Sequence, residues 1–373
     1  MGKVPRAIVS VTNDLYTDQR VHKVCLFLAK QGYDVLLVGR MRPDSLPLDR
    51  PYETRRMRLA FDKGALFYAV YSIRLFWFLL FRRADVLISN DLDTLLPNFL
   101  VSRIRRTRLV YDTHEYFTEV PELVSRPKVQ AVWEKIEGWI FPKLDRIYTV
   151  NQSIASRYGE KYGKQLSVVR NISPQWKKGV LKSKSELGIP EDRFVLIFQG
   201  AGINIDRGGE EAVQAMQYVE GAVLLFVGDG DVLPQLREMT KSLELEDKVR
   251  FIGKKPYHEM MNYTFHADLG LTLDKDTNLN YRFSLPNKVF DYMHTQTPIL
   301  ASDLPEVKNV VLKHDIGTII RGHEPEILAA DIRRIMTDPA QLERWQQNCL
   351  QASKVENWEH ETEVLATIYP RVT

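Results

Sequence analysis

Cysteine is nearly absent from this 373-residue chain: Cys25 and Cys349 are the only two, far apart and with no CxxC pair. That count excludes a disulfide scaffold and a zinc finger, and it suits a reducing cytoplasm. A signal-peptide core is also missing, because the opening MGKVPRAIVSVTND reaches polar residues after about five apolar positions. No short-period repeat or low-complexity segment is visible. With 27% charged and 44% hydrophobic residues, the composition excludes a disordered or collagen-like chain. At ~150 residues per domain the length predicts two to three domains.

Net charge is small, with 51 Lys and Arg against 48 Asp and Glu, but it is unevenly spread. Residues 1–170 hold 28 basic and 18 acidic residues, a net of +10, which leaves the remainder at −7. A basic first half is expected to face something anionic, either nucleic acid or a phospholipid surface. Scattered, solvated charge is the plainer alternative.

Short β-branched runs alternate with helical periodicity. In the first half, strands are predicted at Arg6–Val11, Asp34–Val38, Asp85–Ile88, Leu109–Tyr111 and Arg146–Val150, with a helix over Val21–Lys30 that stops at Gly32. The pattern restarts with strands at Phe194–Phe198, Ala222–Val227, Val249–Ile252, Leu269–Leu273 and Ile299–Ala301. Helices lie between them at Gly209–Met216, Val232–Leu243 and His258–Phe265. Strands separated by helices imply parallel, doubly wound sheets. The polar segment Asn171–Gly179 (NISPQWKKG) reads as a linker. The expectation is therefore α/β: two Rossmann-like doubly wound domains facing across a cleft, over residues 1–172 and 173–350. Residues 351–373 are expected to return as a helix toward the first domain.

Gly64–Phe81 (GALFYAVYSIRLFWFLLF) is nearly all apolar, interrupted by Arg74 and followed by Arg82 and Arg83. A membrane span needs ~20 apolar residues, and a central Arg costs roughly 2.5–3.5 kcal/mol, so spanning is disfavoured. Its aromatic load and basic flanks suit a helix lying at a bilayer interface, yet a buried core helix reads the same way. The run Arg103–Arg108 (RIRRTR) favours an anionic surface.

The second half carries the clearer chemistry. Phe194–Gly209 (FVLIFQGAGINIDRGG) runs a buried strand into a Gly-rich loop holding Gly200, Gly202 and Arg207. Backbone N–H groups, a helix start and a guanidinium together make an anion site. No Gly-Lys-Ser/Thr closes it, so it is not a Walker A loop. Leu224–Leu233 (LLFVGDGDVL) is a second strand–glycine–helix turn, whose Gly228 and Gly230 read as structural. In Ser284–Asp303 (SLPNKVFDYMHTQTPILASD), Pro286 and Asn287 open a short helix carrying Lys288 and Asp291. Free N–H groups at its start suit a phosphate, and a carboxylate one turn on suits two vicinal sugar hydroxyls.

The run SLPNKVFDYM…TPILASD closely resembles the donor-binding segment of GT-B glycosyltransferases of family 4. FQGAGINIDRGGEEAVQAM and VLLFVGDGD…L resemble the two preceding segments, in the same order, and VTNDLYTDQRVHKVCLFLAKQGYDVLLVGR is similar to the family's opening strand, loop and helix. The resemblance covers essentially the whole chain and is looser over residues 40–80. It implies retaining transfer from a nucleotide-sugar, UDP- or GDP-linked, held by the C-terminal domain. Arg207 matches the second of the family's two diphosphate-contacting basic residues. No basic residue stands at the first, in the Gly200–Asn204 loop, and Lys288 is the candidate replacement. Asp291 takes the ribose-binding acid of the family's E-x₇-E signature, whereas its first acid falls at Phe283 and is lacking. The loop from Gly253 to Tyr257 (GKKPY) is the expected base-recognition position.

In the first half, LVYDTHEYF puts His114 and Glu115 past a predicted strand end, the edge where open parallel sheets bind ligands. The resemblance implies that His114 lies near the donor sugar. Asp91 and Asp93 follow another strand and are candidates for the acceptor side, as are Asp14, Asp18 and Arg20 in the first strand–helix loop. Family chemistry needs no protein nucleophile, since the leaving diphosphate helps to deprotonate the acceptor, and His114, Arg207 and Lys288 are the expected catalytic groups. No obligatory metal or cofactor is expected, and Asp91-Leu92-Asp93 reads as acceptor-side rather than as a metal motif. The expected partners are a nucleotide-sugar, a glycan or lipid-linked acceptor and an anionic membrane surface, with no nucleic acid. The expected location is cytoplasmic, peripheral on the inner face of the membrane.

Three other readings compete with this one. A nucleotide-sugar epimerase would share the fold. A basic membrane- or nucleic-acid-binding protein would account for the charge, but no nucleic-acid recognition module is present. An NAD-dependent dehydrogenase would need Gly-x-Gly-x-x-Gly after the first strand, which is absent.

Overall fold

A computed structural model of the chain describes residues 4–16, 18–43 and 45–372. The chain divides into two compact units, one of Met1–Arg170 with Glu361–Thr373 and one of Asn171–His360. Residues 351–360 thus belong with the second unit, and the helix Trp358–Ile368 carries the chain from one unit to the other.

The first unit is built on seven strands: β1 (Arg6–Asp14), β2 (Asp34–Met41), β3 (Glu53–Arg58), β4 (Val86–Asn90), β5 (Arg108–Thr113), β6 (Ile147–Thr149) and β7 (Ser167–Val168). All pair in parallel in the order β3-β2-β1-β4-β5-β6-β7. Strand order reverses between β1 and β4, so the loops leaving these strands diverge and open a crevice at their C-terminal ends. Central strands such as β4 (VLISN) are buried along their whole length, as a sheet covered on both faces requires. β3 (ETRRMR) is not legible as a strand from its sequence. It is an edge strand with a single buried residue, Met57, and charged side chains protect its open edge.

Three helices of this unit matter below: α1 (Gln19–Lys30), α2 (Gly64–Leu80) and α3 (Leu92–Arg105). α1 starts at Asp18, whose carboxylate accepts from the Val21 N–H at 3.1 Å. α2 takes up the long apolar segment that follows Lys63. Phe67, Tyr71, Leu75 and Leu79, one stripe at i+4 spacing, are buried, and the last three join the core with Ile8, Leu36, Leu87 and Val101. Each such burial contributes roughly 1.5–3 kcal/mol. The opposite face stays open. Among the described residues no helix is long and apolar enough to cross a membrane.

The second unit holds β8 (Phe194–Gly200), β9 (Ala222–Gly228), β10 (Val249–Gly253), β11 (Leu269–Thr272), β12 (Ile299–Ala301) and β13 (Gly317–Ile319). They too pair in parallel, in the order β10-β9-β8-β11-β12-β13, with the reversal between β8 and β11. Core clusters line both faces of this sheet, one around Phe198, Phe226 and Leu271 and the other around Val223, Tyr292 and Ile299. Both units are therefore α/β and Rossmann-like.

Two glycines set the backbone at the β8 end. Gly228, at φ 145°, packs so closely that a Cβ would fall on the Gly200 carbonyl oxygen. Gly208, at φ 80°, opens helix α4 (Gly209–Ala215) against Leu273, where a Cβ would collide. Reciprocal backbone bonds, Asp229 N–H to Gly200 O and Ile203 N–H to Asp229 O, both 3.0 Å, clamp the two loops together.

Candidate functional site

Each unit gathers polar residues at the C-terminal ends of the strands flanking its reversal point. In the second unit, β8 delivers Arg207 through the glycine loop, β11 delivers Asp274, and helix α5 (Lys288–His294) delivers Lys288. Arg207 Nη1 lies 3.2 Å from Asp274 Oδ2, and Lys288 Nζ lies 4.0 Å from Asp274 Oδ1. The Arg207 guanidinium also stacks 4.0 Å from the centre of the Tyr281 ring, and Lys288 Nζ sits 4.5 Å from that of Phe198. Asp274 is 1% exposed, and neither of its oxygens accepts a hydrogen bond. Burial lowers the Lys288 pKa against the pull of Asp274, and Arg207 lowers it further. Two cations around one carboxylate leave an excess positive charge at the strand ends.

Asp291, one turn into α5, is buried and well supplied with donors. Its Oδ1 accepts from Ser173 Oγ at 3.0 Å and from Tyr257 OH at 2.9 Å, and its Oδ2 accepts from Gln199 Nε2 at 3.2 Å. Burial and the Asp291 charge together push the Tyr257 phenol up. The network fixes the Gly253–Tyr257 loop against α5; Gly253 itself is at φ 78° with open space around it. Pro286 and Asn287 begin the first turn of α5, their carbonyls accepting from Val289, Phe290 and Asp291 N–H at 3.0–3.1 Å, and the Asn287 side chain makes no cap bond. Gly202 faces the Asn204 side chain, whose Oδ1 accepts from Asp231 N–H at 3.1 Å.

In the first unit, β4 and β5 end side by side. His114 Nε2 is 3.0 Å from Asp112 Oδ2 and its Nδ1 is 3.4 Å from Asp91 Oδ2, while Asp91 Oδ1 accepts the His114 N–H at 2.8 Å. Arg20 reaches in from α1, with Nη2 2.9 Å from Asp112 Oδ1 and Nη1 donating to Val169 O at 2.9 Å. Burial disfavours charge on all of these groups. For His114 the Asp112 and Asp91 carboxylates outweigh it and raise the pKa to about 9. Burial would raise Asp112, but Arg20 and His114 hold it at about 2. Asp91 is raised by burial against the pull of His114. Asp93, buried and next to Asp91, is raised to about 7, and it accepts from Thr12 Oγ1.

Arg20, Asp91 and His114 are thus brought together, with Asp93 beside them. Asp14 and Asp18 serve locally: Asp14 accepts from Tyr16 N–H at 2.8 Å and from Ser45 Oγ, and Asp18 caps α1. Glu115 is exposed, and its carbonyl accepts from Thr113 Oγ1 at 2.8 Å. Sequence reading missed Asp112, Asp274, Tyr281 and Gln199. Asp112 lies inside the segment LVYDTHEYF, and Asp274 directly follows a predicted strand. An acid at a strand end was the available signal for both.

Two family models match the chain, one described as Glycosyl transferases group 1 over residues 181–351 and one as Glycosyltransferase Family 4 over residues 18–172. The chain belongs to these GT-B glycosyltransferases. The lipopolysaccharide core biosynthesis glycosyltransferase LpsD of Rhizobium meliloti is 30% identical over 164 residues, 43% of this chain and 45% of that protein. The chain spans about half the length of the curated relatives it matches. Sucrose-phosphate synthase from Thermosynechococcus elongatus superposes with a TM-score of 0.76 at 18% identity, covering 98% of each chain. Anabaena HepE in complex with UDP-glucose does so at 0.72 and 14% identity, over 97% of this chain and 99% of that one. At such identities the likeness establishes the fold.

Proposed function

We propose that this glycosyltransferase takes its sugar from a UDP- or GDP-linked donor held by the second unit and passes it, with retention, to a glycan or lipid-linked acceptor of cell-surface polysaccharide synthesis. The single observation that carries this reading is the pair Arg207 and Lys288 around the buried Asp274. Their excess positive charge matches a diphosphate, and preorganised cations stabilise the charge that builds on it as the sugar leaves. The bond from the anomeric carbon to the diphosphate breaks while the acceptor oxygen bonds the same face of that carbon. The acceptor proton passes to a diphosphate oxygen. No protein nucleophile or resident metal is needed for this sequence of events, which activity retained in a chelator would support.

Asp291 is the proposed ribose acceptor, with the half-exposed Tyr257 the donor that a ribose hydroxyl would replace. His114, charged at neutral pH, is proposed to face the donor sugar. Asp91, Asp93, Arg20, Asp14, Asp18 and Glu115 are proposed for the acceptor side. The basic first unit is proposed to bring the enzyme to an anionic membrane surface on the cytoplasmic face.

A thermal-shift panel with UDP, GDP, CDP, ADP and NAD at equal concentration tests the donor reading. A ligand at 100 times its Kd adds ~2.7 kcal/mol of stability. A shift with UDP or GDP alone, lost in Asp291→Ala, supports it; no shift with any nucleoside diphosphate overturns it. Sugar epimerised in the absence of acceptor would instead make the chain an epimerase.

A further inference from the structure

Asp274 stands in the second unit's site with no part in the donor reading above. The segment Leu273–Lys275, which follows β11, is locked to the Arg207 loop through backbone. Lys275 N–H donates to Asp206 O at 2.8 Å, and only the missing Cβ of Gly208 lets that loop pass Leu273. Asp206 takes φ 63° to present its carbonyl, a left-handed conformation uncommon for a residue other than glycine. On the other side the Leu273 carbonyl accepts from His323 Nε2 at 3.2 Å, and Lys275 Nζ pairs with Glu211 of α4. The Asp274 carboxylate is thus placed beside Arg207 by the backbone on both sides of it.

Its surroundings differ from those of the other buried acids. Asp112 takes hydrogen bonds from Arg20 and His114, and Asp291 takes them from Ser173, Tyr257 and Gln199. Neither oxygen of Asp274 takes one. Arg207 and Lys288 meanwhile have supports of their own in the rings of Tyr281 and Phe198. An anion site built only for affinity gains nothing from a buried carboxylate between its cations. Such a charge subtracts from the attraction for the ligand, and the subtraction grows with the ligand's own negative charge.

Donor and product differ in that charge. The diphosphate of a nucleotide-sugar is esterified at both ends. After transfer one end is free; it takes the acceptor proton and, with a pKa of about 6, yields it to water near neutral pH. The product is then the more negative ligand. We propose that Asp274 is a charge-balancing positioning residue, which makes the site favour the nucleotide-sugar over the nucleoside diphosphate that transfer leaves behind, and so promotes release of the latter. The inference rests on the donor reading above and deepens it.

The test is calorimetric titration of the full chain at pH 8 with UDP, GDP and the β-methyl ester of each, for wild type, Asp274→Asn and Asp274→Ser. The methyl ester keeps the diphosphate esterified at both ends, with one negative charge fewer and no sugar to be recognised. A bound diphosphate takes over the pull by which Asp274 keeps Lys288 charged against burial. Removing the carboxylate should therefore tighten both ligands, and the free diphosphate by a further factor on the order of ten for its one extra charge, at an effective dielectric constant of about 20 and a separation of about 10 Å. Asp274→Ser, with the smaller side chain, carries the test if the amide variant does not fold. Wild type that binds neither UDP nor GDP overturns the donor reading itself. Wild type that binds one of them, while the variants shift diphosphate and ester by equal factors or loosen both, leaves that reading standing and overturns the charge-balancing role, making Asp274 an anchor for Arg207 and Lys288 alone.

Discussion

His114 Nε2 lies 3.0 Å from Asp112 Oδ2, and the other oxygen of the same carboxylate lies 2.9 Å from Arg20 Nη2. One buried acid therefore holds two cations, and this sharing ties the stability of the first unit to pH.

His114 is raised from 6.5 to about 9. A raised histidine favours the folded state while it is protonated, so its contribution is fully present below pH 6.5 and is lost as pH rises through about 9. The stability difference between wild type and His114→Gln should accordingly shrink between pH 6.5 and 9, and denaturant titrations across that window measure it. A difference that grows over the same range would contradict the assignment. Asp112 has the opposite sign: held at about 2, its contribution should be present above its unfolded value and lost only in strong acid.

Asp93 is raised from 3.8 to about 7, mainly by burial. Ionising it costs the folded state more than the unfolded one, so wild type should lose stability relative to Asp93→Asn as pH rises from about 4 to 7, and no more beyond that. Midpoints of urea unfolding at pH 4, 6 and 8 for both proteins check this.

Arg207→Ala should lower turnover by well over tenfold, because the guanidinium is proposed to stabilise charge on the leaving diphosphate. Its removal leaves Lys288 against Asp274, an equal balance of charge, so the melting temperature should move little. Wild-type turnover in the folded variant would remove Arg207 from the mechanism.

Gly228→Ala should destabilise the second unit by about 3 kcal/mol, since a Cβ there falls on the Gly200 carbonyl and φ is 145°. Gly163→Ala, with φ 65° at a helix end and no neighbour within 4 Å, should cost about 1 kcal/mol. Similar losses for the two would show that close backbone approach is not what the glycine serves.

Much of the architecture is local in origin and was legible. Fully buried strands such as VLISN and AVLLFVG announce themselves as apolar runs, and glycine turns mark where each hands over to a helix. Ten of the thirteen strands among the described residues are readable in this way. Those missed, β3, β7 and β13, are a mostly exposed, charged edge strand and two pieces of two and three residues, too short or too exposed to carry an apolar pattern. Of the site, the strand-end positions of His114, Asp91 and Arg207 and the helix bearing Lys288 and Asp291 came from the same signals.

The amino-acid sequence alone determined the alternation of strands and helices that makes two parallel sheets, and the residue types at the strand ends, because each depends on periodicity within a few residues. Only the tertiary structure decided which carboxylate each cation meets. Arg20 and Asp112 are 92 positions apart, and Asp274 finds Arg207 through the pairing of β8 with β11. It also decided which stripe of α2 is covered. A helix that is apolar on every side does not reveal which stripe the sheet will cover, and packing against β-strands chose Phe67, Tyr71, Leu75 and Leu79, leaving Trp77 and Phe81 outside.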